Sequence, residues 1–142
     1  MPKAAVVLGA SGAARAAVHV LITSGFQQVA VVDERLHRAE ALVRSFAKSA
    51  AHMDLRARPW HETVLEVEIA RTKVLVDATG RGTAATSPIP AALLAPGLLV
   101  IDLSTAAVET RLMVDATAAG AERVANGDDV LIGRCAAAAG LW

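Results

Sequence analysis

Four apolar runs, Ala4 to Leu8, Val29 to Val32, Val74 to Val76 and Leu98 to Ile101, stand out along the chain. Each is continuous rather than alternating, which marks a strand covered on both faces and so a parallel sheet. Weaker runs at Leu55 to Arg58 and Arg123 to Ala125 supply a third and a sixth strand. Between the strands the apolar spacing changes to three and four. Ala14, Ala17, Val18 and Leu21 share one helical face, and Ala39, Leu42, Val43 and Phe46 share another. Gly25 is placed as the C-terminal cap of the first helix, and Pro88, Pro90, Pro96 and Gly97 mark loops around a short helix near Ala91 to Leu94. A last helix is expected over Asp129 to Leu141. The alternation predicts an α/β architecture of three layers, a doubly wound, mostly parallel six-stranded sheet with right-handed crossovers.

Length and composition bound what such a fold does here. The 142 residues form one expected domain, 1–142, with no linker or repeat to divide it. Although 54% of the residues are hydrophobic, no apolar run approaches the roughly 20 residues of a membrane span. Met1-Pro2-Lys3 leads directly into a five-residue apolar strand, without the longer core of a secretory signal, so a cytoplasmic location is expected. Fourteen basic and fourteen acidic residues cancel, which argues against nucleic acid as a partner. Cys135 is alone and the four histidines are scattered, so no metal site is expected. Tyrosine is absent, which excludes the short-chain dehydrogenases, single-domain enzymes with a catalytic Tyr and Lys.

The candidate chemistry lies at the first turn. Gly9-Ala10-Ser11-Gly12-Ala13-Ala14 joins the first strand to the first helix, where a dinucleotide pyrophosphate is held by helix N–H groups and the positive dipole end. Gly9 permits the tight turn, Ser11 and Gly12 permit close approach, and Ala14 lets the helix touch the sheet. The match to G-x-G-x-x-G is imperfect, with Ser at the second site and Ala at the third. Its context supports it, because the second strand ends in Asp33, 24 positions beyond Gly9. A carboxylate there accepts from the ribose hydroxyls of NAD and repels the 2′-phosphate of NADP. A Rossmann-type domain binding NAD, with NADP disfavoured, follows as the expectation; the bland alternative is a tight turn with no cofactor. A P-loop is excluded, since no Gly-Lys-Ser/Thr follows.

Other polar residues read as structural. Asp128-Asp129 precede a predicted helix, as a cap and dipole partner would. His61-Glu62 read as a solvated helix start, His19 as a surface residue, and Cys135 as a small apolar side chain.

Several segments in order resemble the cofactor-binding domain of the shikimate and quinate dehydrogenases. Val7 to Ala16 is similar to the family's V-L-G-A-G-G-A-A-R-A, and Arg38 to Leu42 matches its R-A-E-A-L. Val76-Asp77-Ala78-Thr79 resembles I-N-A-T, while Ile101-Asp102-Leu103 and Glu109-Thr110 resemble V-D-L and E-T. Asn126-Gly127, Ala136-Ala137-Ala138 and Leu141-Trp142 resemble the family's ending. The resemblance implies pyrophosphate on Ala10, Ser11, Gly12 and Ala13 and the adenosine ribose on Asp33. It places Arg38 beside the ribose or phosphate, and Ala78, Thr79, Leu103 and Gly127 along the nicotinamide. The NADP-using members carry N-R-T where this chain has Asp33-Glu34-Arg35, so Glu34 replaces the arginine that clamps the 2′-phosphate.

Two departures concern the substrate: Thr105 replaces a family Tyr, and Arg134 replaces a Gln. The family's catalytic Lys and Asp belong to a substrate domain, and no residue here is assigned their role. The expectation is therefore a cofactor domain of a shikimate/quinate dehydrogenase-like oxidoreductase, inactive alone, and either a piece of a longer enzyme or the partner of a separate substrate-domain chain. Alternatives are a stand-alone NAD-binding or sensing protein, or a cofactor domain like that of methylene-tetrahydromethanopterin dehydrogenases. An apolar last helix through Leu131, Cys135 and Trp142 points to a homo-oligomer.

Overall fold

The computed structural model describes residues 3–104 and 109–126. Its elements run β1 (Ala4–Leu8), α1 (Gly12–Thr23), β2 (Gln28–Asp33), α2 (Leu36–Ser45), β3 (Asp54–Pro59), α3 (Glu62–Ala70) and β4 (Val74–Asp77). A short 3-10 turn (Ala91–Leu93), β5 (Leu99–Asp102), α4 (Arg111–Ala118) and β6 (Arg123–Asn126) follow. The six strands form one sheet in the order β3-β2-β1-β4-β5-β6, and every pairing is parallel. The chain thus winds outward from β1 in both directions, as the sequence pattern predicts.

Two-sided burial explains why the strands are continuous apolar runs. Ala5 and Val7 face one core layer with Val29, Val31, Val76 and Ile101, packed under Ala14, Ala17, Val18 and Leu21 of α1 and Leu42 of α2. Val6 and Leu8 face the other, with Leu75 and Val100, under Leu65 and Ile69 of α3 and Leu112 and Ala116 of α4. Each fully buried aliphatic side chain contributes about 1.5–3 kcal/mol, so the two layers hold the crossover helices to the sheet. Gly25, at φ +83°, follows the end of α1 as predicted. Edge strand β3 is only half-buried along most of its length, and Pro59 closes it, as an edge allows.

Helix α4 is the element the apolar pattern leaves out. Its signal is Thr110, whose hydroxyl accepts from the Met113 N–H as an N-cap, followed by Leu112 and Ala116 at a spacing of four. The expected final helix, Thr105, Gly127, Asp128-Asp129, Arg134 and Cys135 lie outside the described residues. No helix among the described residues is long and apolar enough to cross a membrane.

Candidate functional site

The carboxyl ends of β1 and β4 are neighbours, and the connections leaving them turn to opposite faces of the sheet. That divergence opens a crevice, the usual ligand position in an open α/β sheet. Gly9 follows β1 at φ +100°, and its N–H donates to the Val32 carbonyl at 2.8 Å. A Cβ on Gly9 would lie 2.8 Å from the Ala78 carbonyl oxygen and 3.1 Å from the Thr79 nitrogen, so β1 and β4 approach too closely here for any side chain.

Ser11 locks this arrangement. Its hydroxyl donates to the Ala78 carbonyl at 2.9 Å and accepts from the Ala14 N–H at 3.4 Å, so one side chain both caps α1 and ties it to the end of β4. Gly12, the first residue of α1, is exposed, and a Cβ there would meet nothing within 4 Å. The space in front of it belongs to no other part of the described chain.

Two cavities share Ser11, Ala78 and Thr79. The first, about 210 Å³, is lined by Gly9, Ala10, Asp33, Glu34 and Arg38 of the expected set. The second, about 410 Å³, is lined by Ala13 and Leu103, with Gly80, Gly82 and Ser104 beside them. Of the expected residues, only Gly12 lines neither cavity and only Gly127 is not described.

Charge in the first cavity is more balanced than the sequence suggests. Asp33 ends β2 and its Oδ1 accepts from the Arg35 N–H at 2.8 Å. Glu34 does not stand as a bare carboxylate, because Arg81 Nη1 lies 2.5 Å from its Oε1. The Arg81 guanidinium also lies 4.9 Å from the ring centroid of Trp60. Arg35, Trp60 and Arg81 join the cavity wall without having been singled out in the sequence.

Beneath the second cavity, Asp77 and Asp102 are register partners at the ends of β4 and β5. Asp102 Oδ1 accepts from the Ser104 N–H and its Oδ2 from the Thr110 hydroxyl at 2.6 Å. Asp77 Oδ1 accepts from both the N–H and hydroxyl of Thr79, whereas its buried Oδ2 has no hydrogen-bond partner among the described residues. Burial pushes the Asp77 carboxyl above its ordinary pKa, against the two bonds from Thr79, and the nearby Asp102 adds to the rise.

No family model matches the chain. It is 32% identical over 138 residues to the shikimate dehydrogenase (NADP(+)) of Geobacter metallireducens, covering 96% of this chain and 48% of that protein. With the shikimate dehydrogenase (NADP(+)) of Natronomonas pharaonis the identity is 38% over 122 residues, 84% of this chain and 42% of that protein. The solved quinate dehydrogenase of Corynebacterium glutamicum, in complex with NAD, superposes with a TM-score of 0.78 at 25% identity, over 99% of this chain and 50% of that one. Over nearly its whole length the chain is similar to one half of the shikimate and quinate dehydrogenases. It matches the nicotinamide-dinucleotide-binding half, and spans about half the length of the curated relatives it matches. Both NAD and NADP occur in the names of these similar proteins.

Proposed function

We propose that this chain binds a nicotinamide dinucleotide along the two joined cavities, with NAD preferred, as the cofactor half of a shikimate/quinate dehydrogenase-like oxidoreductase. The observation that carries the reading is the turn from Gly9 to Ala13, built without side-chain bulk at the carboxyl end of β1. The pyrophosphate lies over Ala10, Ser11, Gly12 and Ala13, where the α1 dipole favours an anion. Asp33, with Oδ1 held by the Arg35 N–H, presents Oδ2 to a ribose hydroxyl. Arg38 flanks that ribose or the phosphate. Ala78, Thr79 and Leu103 line the nicotinamide half, with Gly127 joining them by family resemblance.

The preference for NAD rests on Asp33 and Glu34, which put two carboxylates where NADP carries its extra phosphate. Hydride then passes between the nicotinamide ring and a cyclic hydroxy acid or its ketone, held by a substrate domain such as the other half of the relatives supplies. Calorimetric titration with each dinucleotide tests the reading. Tighter binding of NAD is expected, and a further loss of NAD affinity in Asp33→Asn, because a charge-assisted bond of about 1.5–3 kcal/mol is removed. Equal or tighter binding of NADP overturns the preference, and binding of neither overturns the whole reading.

A further inference from the structure

In the sheet order, β1 lies between β2 and β4. Glu34 follows β2 and Arg81 follows β4, so their ion pair at 2.5 Å crosses the carboxyl end of β1, above Gly9 and Ala10. Both side chains are about half exposed, at 60% and 46%, and neither is needed to fill the core. Trp60, just beyond β3, lies against the same guanidinium at 4.9 Å. Arg81 is therefore held from two sides: an aromatic face, which tolerates any anion, and a carboxylate, which another anion can replace.

The cavity holds three cations, Arg35, Arg38 and Arg81, against two carboxylates, Asp33 and Glu34. Such a wall attracts an anion as soon as one carboxylate is displaced. An arginine fork suits phosphate better than a single carboxylate oxygen, because it can donate two parallel bonds. Resting on the proposed dinucleotide reading, we infer that Arg81 is the residue that reads the 2′-phosphate of NADP and that Glu34 is its tethered competitor. With NAD the Glu34 to Arg81 pair stays closed across the ribose. With NADP the phosphate takes the place of Glu34 on Arg81, which keeps its seat on Trp60. Discrimination then works by competition rather than exclusion, and NADP binds measurably but more weakly.

The test titrates the full 142-residue chain and the variants Glu34→Gln, Arg81→Gln and the double variant with NAD and NADP at one ionic strength. Neutralising Glu34 adds no cation, yet it is expected to raise the ratio of NADP to NAD affinity about tenfold by tightening NADP binding. Arg81→Gln in the Glu34→Gln background is expected to abolish that gain. A gain that survives in the double variant assigns the phosphate to Arg35 or Arg38 and overturns the inference. So does an unchanged ratio of NADP to NAD affinity in Glu34→Gln that still binds a dinucleotide. If neither dinucleotide binds the unaltered chain, the dinucleotide reading itself fails, and the inference falls with it.

Discussion

The carbonyl oxygen of Ala78 stands 2.8 Å from the point where a Cβ of Gly9 would be, while a Cβ on Gly12 would meet nothing within 4 Å. Two glycines of one turn are thus required for different reasons. At Gly9 the obstacle is backbone, which has no flexible end to move aside, and the φ of +100° is strained for any other residue. Gly9→Ala is expected to destabilise the fold by about 3 kcal/mol or more, read as a shifted urea midpoint. Gly12→Val is expected to keep the midpoint within about 0.5 kcal/mol and to abolish dinucleotide binding. Equal stability losses at the two positions, or unchanged affinity in Gly12→Val, would sink this division of roles.

Asp77 makes stability depend on pH in a direction opposite to that of most carboxylates. Its carboxyl is buried, so the folded state binds its proton more tightly than the unfolded chain, whose value lies near 3.9. Its contribution is therefore most favourable below that value and is lost as pH rises through the higher folded value. Asp77→Asn keeps an acceptor for the two Thr79 donors and removes the ionisation. The variant is expected to be more stable than the parent at pH 7, on the order of 1 kcal/mol or several degrees in Tm, with the gap closing below about pH 4. Thermal unfolding followed across pH decides it: a gap that does not change with pH, or a less stable variant at pH 7, refutes the account.

What the sequence made legible divides along physical lines. Strands β1, β2, β4 and β5 were readable because both faces are buried, which leaves no polar position to blur the run. The turn was readable because Gly9, Ser11 and Gly12 act within a few residues of one another. Helix α4 was missed because Met113 and Val114 are apolar yet not buried, which hides the spacing of Leu112 and Ala116. Arg81 and Trp60 were missed for a different reason. Arg81 meets Glu34 across 47 positions of sequence only because the strand order brings the ends of β2, β1 and β4 side by side. The burial of Asp77 was equally invisible, since the residue reads as one more member of a family motif.

Glu68 anchors α3 to edge strand β3 and offers a third prediction. It is 4% exposed, accepts from Arg56 Nη2 at 2.8 Å and lies 3.6 Å from Arg58 Nε. Arg56 also pairs with the exposed Asp54. Removing the buried partner leaves two arginines short of their counter-ion, whereas removing the exposed one leaves Glu68 in place. Glu68→Gln is expected to cost about 2–4 kcal/mol and Asp54→Asn less than about 1 kcal/mol. Equal effects in chemical denaturation would show that the buried pair does not anchor the helix.

The chain alone is expected to bind its cofactor and turn over neither shikimate nor quinate. Oxidation of a hydroxyl needs a base within hydrogen-bond reach of its proton, a contribution of about 10²–10⁴-fold, besides a surface that orients the acid against the nicotinamide. The three lysines stand away from the crevice. Lys3 precedes β1 and Lys73 precedes β4, at the amino ends of the strands, and Lys48 lies in the turn beyond α2. Asp102 has both oxygens occupied by Ser104 and Thr110, and Asp77 is buried with Thr79 across Oδ1. The curated relatives are about twice as long as this chain, which leaves room in them for a substrate domain that carries such a base. Purified 142-residue chain, saturated with NAD and offered either acid, is expected to give no growth of NADH absorbance above the protein-free rate, while calorimetry on the same sample still reports cofactor binding. Measurable turnover would place a base among this chain's own residues and overturn the division of labour.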